Sequence, residues 1–338
     1  MLRVLTYHRV ADPSASPGLN PRLISATPAR FARQVRHVAD SYHAVTLEEV
    51  LSAVERGTPL PERSVLITFD DAYADFGRTA WPILKHFRLP VTLFVPTAYP
   101  GQPERSFWWD RLYRALFFTT KTELEHTPIG TISLRTPLAR WEGVRRLGNC
   151  VKSIPHEHAL PLVDDICARL GSGRKTGNGV LSWDALRRLS REGVTLGAHT
   201  RTHPLLTRVA PALARHEIVG SQQDLQSQIG RSVPVFCFPD GDHDDTTIDI
   251  LKQEGFSLAF TTELGHNDMH VAEPLRLRRT NIGRRTSPLL LRFRLSRCGG
   301  HVDAWRDARR RTTGPATPRV GRLTDAADEA GERWARRR

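Results

Sequence analysis

Residues 64–95 read SVLITFDDAYADFGRTAWPILKHFRLPVTLFV, and three pieces of that stretch decide the fold class. Ser64-Val65-Leu66-Ile67-Thr68-Phe69 is a nearly unbroken apolar run, the pattern of a strand buried on both faces. A helix is expected from about Tyr73 to Phe87, and Val91-Thr92-Leu93-Phe94-Val95 is a second strand-like run. Strand, helix and strand at this spacing make a βαβ unit, which implies parallel strands.

The same alternation continues outward in both directions. Residues 2–7 form a buried strand, and Thr27-Pro28 then opens a helix with Phe31, Val35 and Val38 at helical spacing. Thr46 begins a shorter helix that ends at Gly57. On the other side, regularity fades between about 100 and 180, a stretch with an aromatic piece (Phe107-Trp108-Trp109) and a Gly-rich piece near 171–179. It reads as an insertion with some helix. Ser182 then caps a helix to Arg191, and Val194–Gly197 is a strand. Helix 211–229, strand 235–238, helix 246–254, strand 257–261 and a last strand within 275–282 follow. Seven or eight strands, mostly separated by helices, fit an irregular (β/α) barrel of about seven parallel strands. In such barrels the active site lies at the carboxyl ends of the strands. The expected organisation is one catalytic domain over 1–300, with the insertion at 100–180. An Arg-rich, flexible tail over 301–338 holds ten Arg against six Asp and Glu.

Composition bounds the rest. With 39% hydrophobic and 25% charged residues, the 338-residue chain is an ordinary globular protein and excludes collagen, coiled coil or wholesale disorder. A net charge of +13 suits an anionic partner, but the arginines are scattered and read as a solvated basic surface. No nucleic-acid-binding module is present, so no nucleic-acid partner is expected. Cys150, Cys167, Cys237 and Cys298 are far apart and form no Cys-x-x-Cys pair, which excludes a zinc knuckle or a redox motif. The start MLRVLTYHRV lacks the marks of a signal peptide, and no apolar run reaches about 18 residues, the length that spans a bilayer. A cytoplasmic location follows if Met1 is the true start, and an exported one if it is not.

Two clusters fall where strands end. Thr68-Phe69-Asp70-Asp71 closes the second strand, and His199-Thr200-Arg201-Thr202-His203 follows the strand ending at Gly197. Two imidazoles at i and i+4 converge on one metal if the backbone is turned there. With one carboxylate they form the ligand set of a catalytic zinc site. Adjacent side chains diverge from a strand, so the other carboxylate is left to act as a base. Each cluster alone is weak, since an Asp pair after a strand is more often a cap or a solvated turn.

Together these motifs resemble the polysaccharide deacetylases (carbohydrate esterase family four, the nodulation-deacetylase-like domain). Thr68–Asp71 is similar to the family's first motif and His199–His203 to its second. Phe236-Cys237-Phe238-Pro239-Asp240-Gly241 resembles the third. Leu5–Val10, Trp108-Trp109-Asp110, Gly255-Phe256 and Arg279-Thr280-Asn281-Ile282 agree as well, so the resemblance covers about residues 2–285. It implies that Asp71, His199 and His203 hold a divalent metal, Zn2+ or an ion such as Co2+ or Ni2+. It implies that Asp70 is the general base and that the backbone N–H of Asp240 holds the oxyanion. Contact with substrate is expected from Tyr7, Phe238, Pro239, Trp109 and Arg279.

The chain departs from the family pattern in two places. Cys237-Phe238 offers no arginine where many members carry one, and Arg stands at 276, 278 and 279 where a late Leu-x-His segment is expected. Tyr7-His8 fits an exopolysaccharide-deacetylase branch that supplies the imidazole from the first strand, which makes His8 the expected general acid. The implied reaction removes N-acetyl groups from N-acetylhexosamine residues of an oligo- or polysaccharide. The partner is that acetylated glycan, with peripheral contact to a lipid-linked form as an extension. A deacylase of O-acetyl or non-sugar amide substrates, and a non-catalytic glycan-binding protein, are the competing readings. His156-Glu157-His158 reads as insertion surface, and Asp240–Asp245 as a loop and helix cap rather than a calcium loop.

Overall fold

A computed structural model describes residues 1–102, 104–171 and 179–313, with side chains of the last helix through Arg309. The chain forms two compact units. One is built from Met1–Pro17, Pro21–Pro103 and Asn178–Arg310, and the other chiefly from Glu104–Gly177.

The first unit is a closed parallel barrel of seven strands: β1 Arg3–Tyr7, β2 Ser64–Phe69, β3 Thr92–Val95, β4 Thr195–Ala198, β5 Val235–Cys237, β6 Leu258–Leu264 and β7 Leu277–Asn281. They are the seven strands expected from the apolar runs. Spatial order follows chain order, and β1 pairs with both β2 (Leu5↔Ile67) and β7 (Leu5↔Thr280), which closes the ring. The short strand His43–Ala44 adds to the start of β2.

Side-chain alternation along these strands explains the interior. Val4, Leu66, Phe94, Val235, Leu258, Phe260 and Leu277 belong to one buried cluster, joined by Leu47, Val50 and Leu51 of the helix Leu47–Arg56. Each side chain so buried contributes about 1.5–3 kcal/mol. Side chains of the opposite parity face the outer helices. Tyr7 stacks on Phe69 with centroids 5.2 Å apart, and both meet the edge of Phe31 on the helix Pro28–Ser41. Gly197 in β4 lacks a side chain for a steric reason, because a Cβ there would stand 2.5 Å from the Phe94 ring.

Helix starts obey the capping residues. Thr27, Thr46 and Ser182 each accept a backbone N–H of the first turn, and Thr46 forms a reciprocal box with Glu49. The helix expected from Tyr73 begins later and unevenly, as a π turn over Phe76–Ala80 followed by α-helix Trp81–His86. Pro82 has no N–H to give the carbonyl four residues back, so the regular ladder cannot run through it. The helix expected from residue 246 starts one residue earlier, as Asp245–Gln253, because the Asp244 carboxylate caps it.

The second unit has its own core. Helices Trp108–Phe118, Pro137–Ser153 and His156–Arg169 and the hairpin Glu123–Thr127/Gly130–Ser133 enclose Leu116, Leu124, Ile132, Leu147, Val163 and Ile166. His156 is half-buried, while Glu157 and His158 are exposed at the start of their helix. Of the Gly-rich stretch, residues 172–178 lie outside the described residues. Of the segment expected as a tail, residues 301–313 continue the helix Arg297–Thr313, and 314–338 lie outside the described residues. No helix among the described residues is long and apolar enough to cross a membrane.

Candidate metal and acid–base site

The parity that fills the barrel also sets its upper end. After Leu66 and Thr68 on the inner face of β2, the next residue of the same parity is Asp70. Two residues beyond Val235 in β5 comes Cys237, and two beyond Leu277 in β7 comes Arg279. These three side chains meet. Arg279 donates to both oxygens of Asp70, at 2.9 and 2.8 Å, and its Nε donates to the Thr261 carbonyl at 2.7 Å. The Cys237 thiol lies 3.7 Å from Asp70 Oδ1. Burial, the largest single influence, would raise the Asp70 carboxyl, but Arg279, His199 and His8 together outweigh it and hold the group below its usual range.

Asp71 reaches the same space by a different route. On a regular strand it would point away from Asp70, but its backbone is left-handed (φ 71°), as is that of Ala72 (φ 49°). The turned Asp71 Oδ1 stands 3.6 Å from His199 Nε2 and 3.3 Å from His203 Nε2. The two imidazoles lie 4.8 Å apart, nearly perpendicular at 80°. His199 Nδ1 donates to the Cys237 carbonyl at 2.7 Å, which leaves Nε2 as the ring nitrogen that faces Asp71. Burial would raise the Asp71 carboxyl, yet His199 and His203 pull it far below the ordinary range.

The donor set fits a divalent cation. Ligand atoms of Asp71, His199 and His203 all lie within 4.8 Å of one another. Asp71 Oδ1 is buried with no hydrogen-bond partner, a costly state for a carboxylate oxygen unless a cation completes it. A second trio, Asp70, His199 and Cys237, is equally close. It is the poorer choice, because Arg279 already neutralises Asp70 and burial pushes the Cys237 thiol up, away from the thiolate that binds metal.

His8 follows β1 at the same end of the barrel. It is half-buried, and its charge bears on both Asp70 and Asp71. Its backbone is pinned on either side. The His8 N–H donates to Ser25 Oγ at 2.9 Å, and Arg9 forms a buried ion pair with Asp75 at 2.7 Å while lying over the Tyr73 ring. Asp240 has a left-handed backbone (φ 55°), its carbonyl accepts from the Thr262 hydroxyl, and its side chain is exposed.

Four residues expected to touch substrate have other surroundings. Tyr7 is 0% exposed, with its hydroxyl 3.3 Å from Gln34 Oε1, so it is a packing residue of the outer layer. Phe238 is equally buried, between Phe236 and His243, and Pro239 is buried beside it. All three have the outward parity or no open surface. Arg279 is 1% exposed and spent on Asp70. It stands on β7, two strands along the barrel from the third motif, in which Cys237 and Phe238 offer no arginine. Trp109 belongs to the second unit, half-buried and stacked on Phe107 at 4.5 Å.

Comparison with known proteins adds three findings. A family model described as polysaccharide deacetylase matches residues 57–259. The Escherichia coli (strain K12) poly-beta-1,6-N-acetyl-D-glucosamine N-deacetylase is 31% identical over 88 residues, which is 26% of this chain and 12% of that protein. The chain spans between 12% and 65% of the length of curated relatives such as this. Two solved structures share the fold, each with a TM-score of 0.58 and 87% of this chain covered: the Streptococcus pyogenes deacetylase PplD in complex with acetate (21% identical, 98% of that chain) and IcaB from Ammonifex degensii (20% identical, 97% of that chain).

Proposed function

The chain belongs to the polysaccharide deacetylase family, and from that premise we propose that it hydrolyses N-acetyl groups of N-acetylhexosamine residues in an oligo- or polysaccharide. The reaction would use a divalent metal, zinc before cobalt or nickel, held by Asp71, His199 and His203. The observation that carries this reading is Asp71 Oδ1, buried, unpartnered and faced by two imidazole nitrogens.

The chemistry such a cation supplies is Lewis acidity toward an acetamide carbonyl and toward water. The chain's own groups do the rest. Asp70, kept ionised by Arg279, accepts the proton of the attacking water. Its two bonds to a rigid guanidinium fix the carboxylate plane, so no reorientation is needed at that moment. The Asp240 N–H serves the developing oxyanion from the left-handed turn. His8 gives a proton to the departing sugar amine, which cannot leave as an anion. The name of the Escherichia coli relative makes β-1,6-linked N-acetylglucosamine the first substrate to try.

The test is acetate release from N-acetylglucosamine oligomers, β-1,6-linked ones included, with added zinc, with and without chelator, beside Asp70→Asn. Chelator-sensitive release that disappears in the variant is expected. Bound metal without release from any oligomer reassigns the site to an O-acetyl ester or a non-sugar amide. Absence of both metal and release makes the glycan-binding reading the leading one.

A further inference from the structure

The loop His199–His203 carries two of the three ligands and folds against its own preferences. Thr200 and His203 both have left-handed backbone, with φ of 61° and 60°. Such conformations cost non-glycine residues about 1–3 kcal/mol each and persist only where surrounding structure over-determines them.

The partners of the loop's polar groups do so here. The N–H groups of Arg201 and Thr202 both donate to Glu217 Oε2, each at 2.8 Å, and the Thr202 hydroxyl donates to Glu217 Oε1 at 2.7 Å. The His203 N–H donates to Thr200 Oγ1 at 3.0 Å. On the acceptor side, the Thr200 carbonyl takes the Thr97 N–H, the Arg201 carbonyl takes the Ala98 N–H, and the Thr202 carbonyl takes the Tyr99 hydroxyl. The Arg201 side chain leaves the loop and donates twice to Asp224, at 2.9 and 2.8 Å, and Asp224 also accepts from Thr97 Oγ1 at 2.6 Å.

Glu217 and Asp224 both stand on the helix Pro211–Ile229, and Glu217 is only 4% exposed. A leucine would pack a helix on a barrel at lower cost than a buried carboxylate. The carboxylate makes sense through the three loop donors that converge on it. Gly220, between the two acids, gives the Arg201 guanidinium its room, since a Cβ there would stand 2.5 Å from it.

We propose that Glu217, with Asp224 behind it, is a positioning residue for the metal: it holds the histidine loop in the left-handed form that aims His199 and His203 at Asp71, and so sets metal affinity. This rests on the metal reading above. A relaxed loop would have to be re-ordered on each binding event, and the affinity would fall accordingly.

Zinc affinity is the deciding quantity, measured on the full chain by competition with a chromogenic chelator for wild type, Glu217→Gln, Thr202→Val and Asp224→Asn. Melting of each metal-free protein is followed in parallel. Glu217→Gln is expected to weaken zinc binding by about 10- to 100-fold, with the other two weakened less and the metal-free folds retained. Variants that lose thermal stability but bind zinc within about twofold of wild type would show Glu217 to be structural only and overturn the proposal. If Glu217→Gln does not fold, Thr202→Val and Asp224→Asn test the same role from the donor side and from the second acid. A wild-type chain that binds no zinc sinks the metal reading itself, whereas tight wild-type binding left unchanged by the variants sinks only the positioning role.

Discussion

Arg279 and Asp70 face each other across the barrel mouth through two hydrogen bonds of 2.9 and 2.8 Å, with both side chains buried. A lysine at 279 keeps the charge but cannot engage both oxygens at once. Arg279→Lys is therefore expected to lower kcat by tenfold or more with little change in KM, read from initial rates of acetate release. Arg279→Met strands a buried carboxylate and is expected to cost about 3–5 kcal/mol, measured by denaturant unfolding at neutral pH. The lowered Asp70 group stabilises the fold above its unfolded value, and that gain is lost as pH falls through its folded value. Arg279→Met should thus lose its deficit in acid. Equal stability of variant and wild type at pH 7 would contradict the pairing.

His8 as general acid has a signature beyond simple loss of rate. His8→Gln is expected to lower kcat/KM on an N-acetyl substrate by about 10²–10⁴-fold. An activated aryl acetate, whose leaving group needs no proton, should lose far less. Rates on both substrates, compared in one preparation, check this. An equal loss on both would assign His8 to binding or packing.

Tyr7 lies in the outer layer, with its hydroxyl on Gln34 and its ring on Phe69. Tyr7→Phe is expected to leave kcat/KM within about twofold and to cost about 0.5–1.5 kcal/mol of stability through the lost hydrogen bond. Thermal melts and steady-state kinetics together test it. A large kinetic loss with unchanged stability would return Tyr7 to the site.

His266 gives the fold a weakness in mild acid. Burial, with Arg3 nearby, pushes its imidazole down to about 4, and its Nε2 sits 2.9 Å from the Arg294 carbonyl. The folded state prefers the neutral ring, so its contribution is complete above the unfolded value near 6.5 and is lost as pH falls from there toward 4. The loss reaches about 3 kcal/mol at most. Unfolding midpoints between pH 7 and 4 should fall less steeply in His266→Gln than in wild type. Parallel slopes would exclude the effect.

Much of this was legible in the residues, for identifiable reasons. Each barrel strand is a short apolar run between turn residues, so β1 to β7 could be read in order. Thr27, Thr46 and Ser182 marked helix starts because a hydroxyl before an apolar periodicity has one common use. The site was legible only as far as motif spacing reaches. Motif membership placed Tyr7 and Phe238 near the chemistry, but inward or outward direction depends on strand parity, and both have the outward one. Arg279 stood out for its position, while its service to Asp70, more than two hundred residues earlier, has no local signal. Glu217 was missed altogether, since a glutamate on a long helix reads as surface until its partners are seen. The signal that could have found it is its place among buried neighbours, Ala214, Ile218 and Ser221, on the inner stripe of that helix.

The closure of β1 against β7 bears on how the molecule is made. Leu5 pairs with Thr280, so the first barrel strand waits for the last. A chain emerging from the ribosome can assemble β1 to β6 as an open sheet, but its free edges remain until residue 281 has emerged. Arg279 arrives with that final strand, and with it the partner that makes a buried Asp70 tolerable. Biosynthesis therefore seals the barrel and gives the buried Asp70 its counter-charge in a single late event, and a chain cut short before β7 would be left open-edged with that carboxylate unpaired.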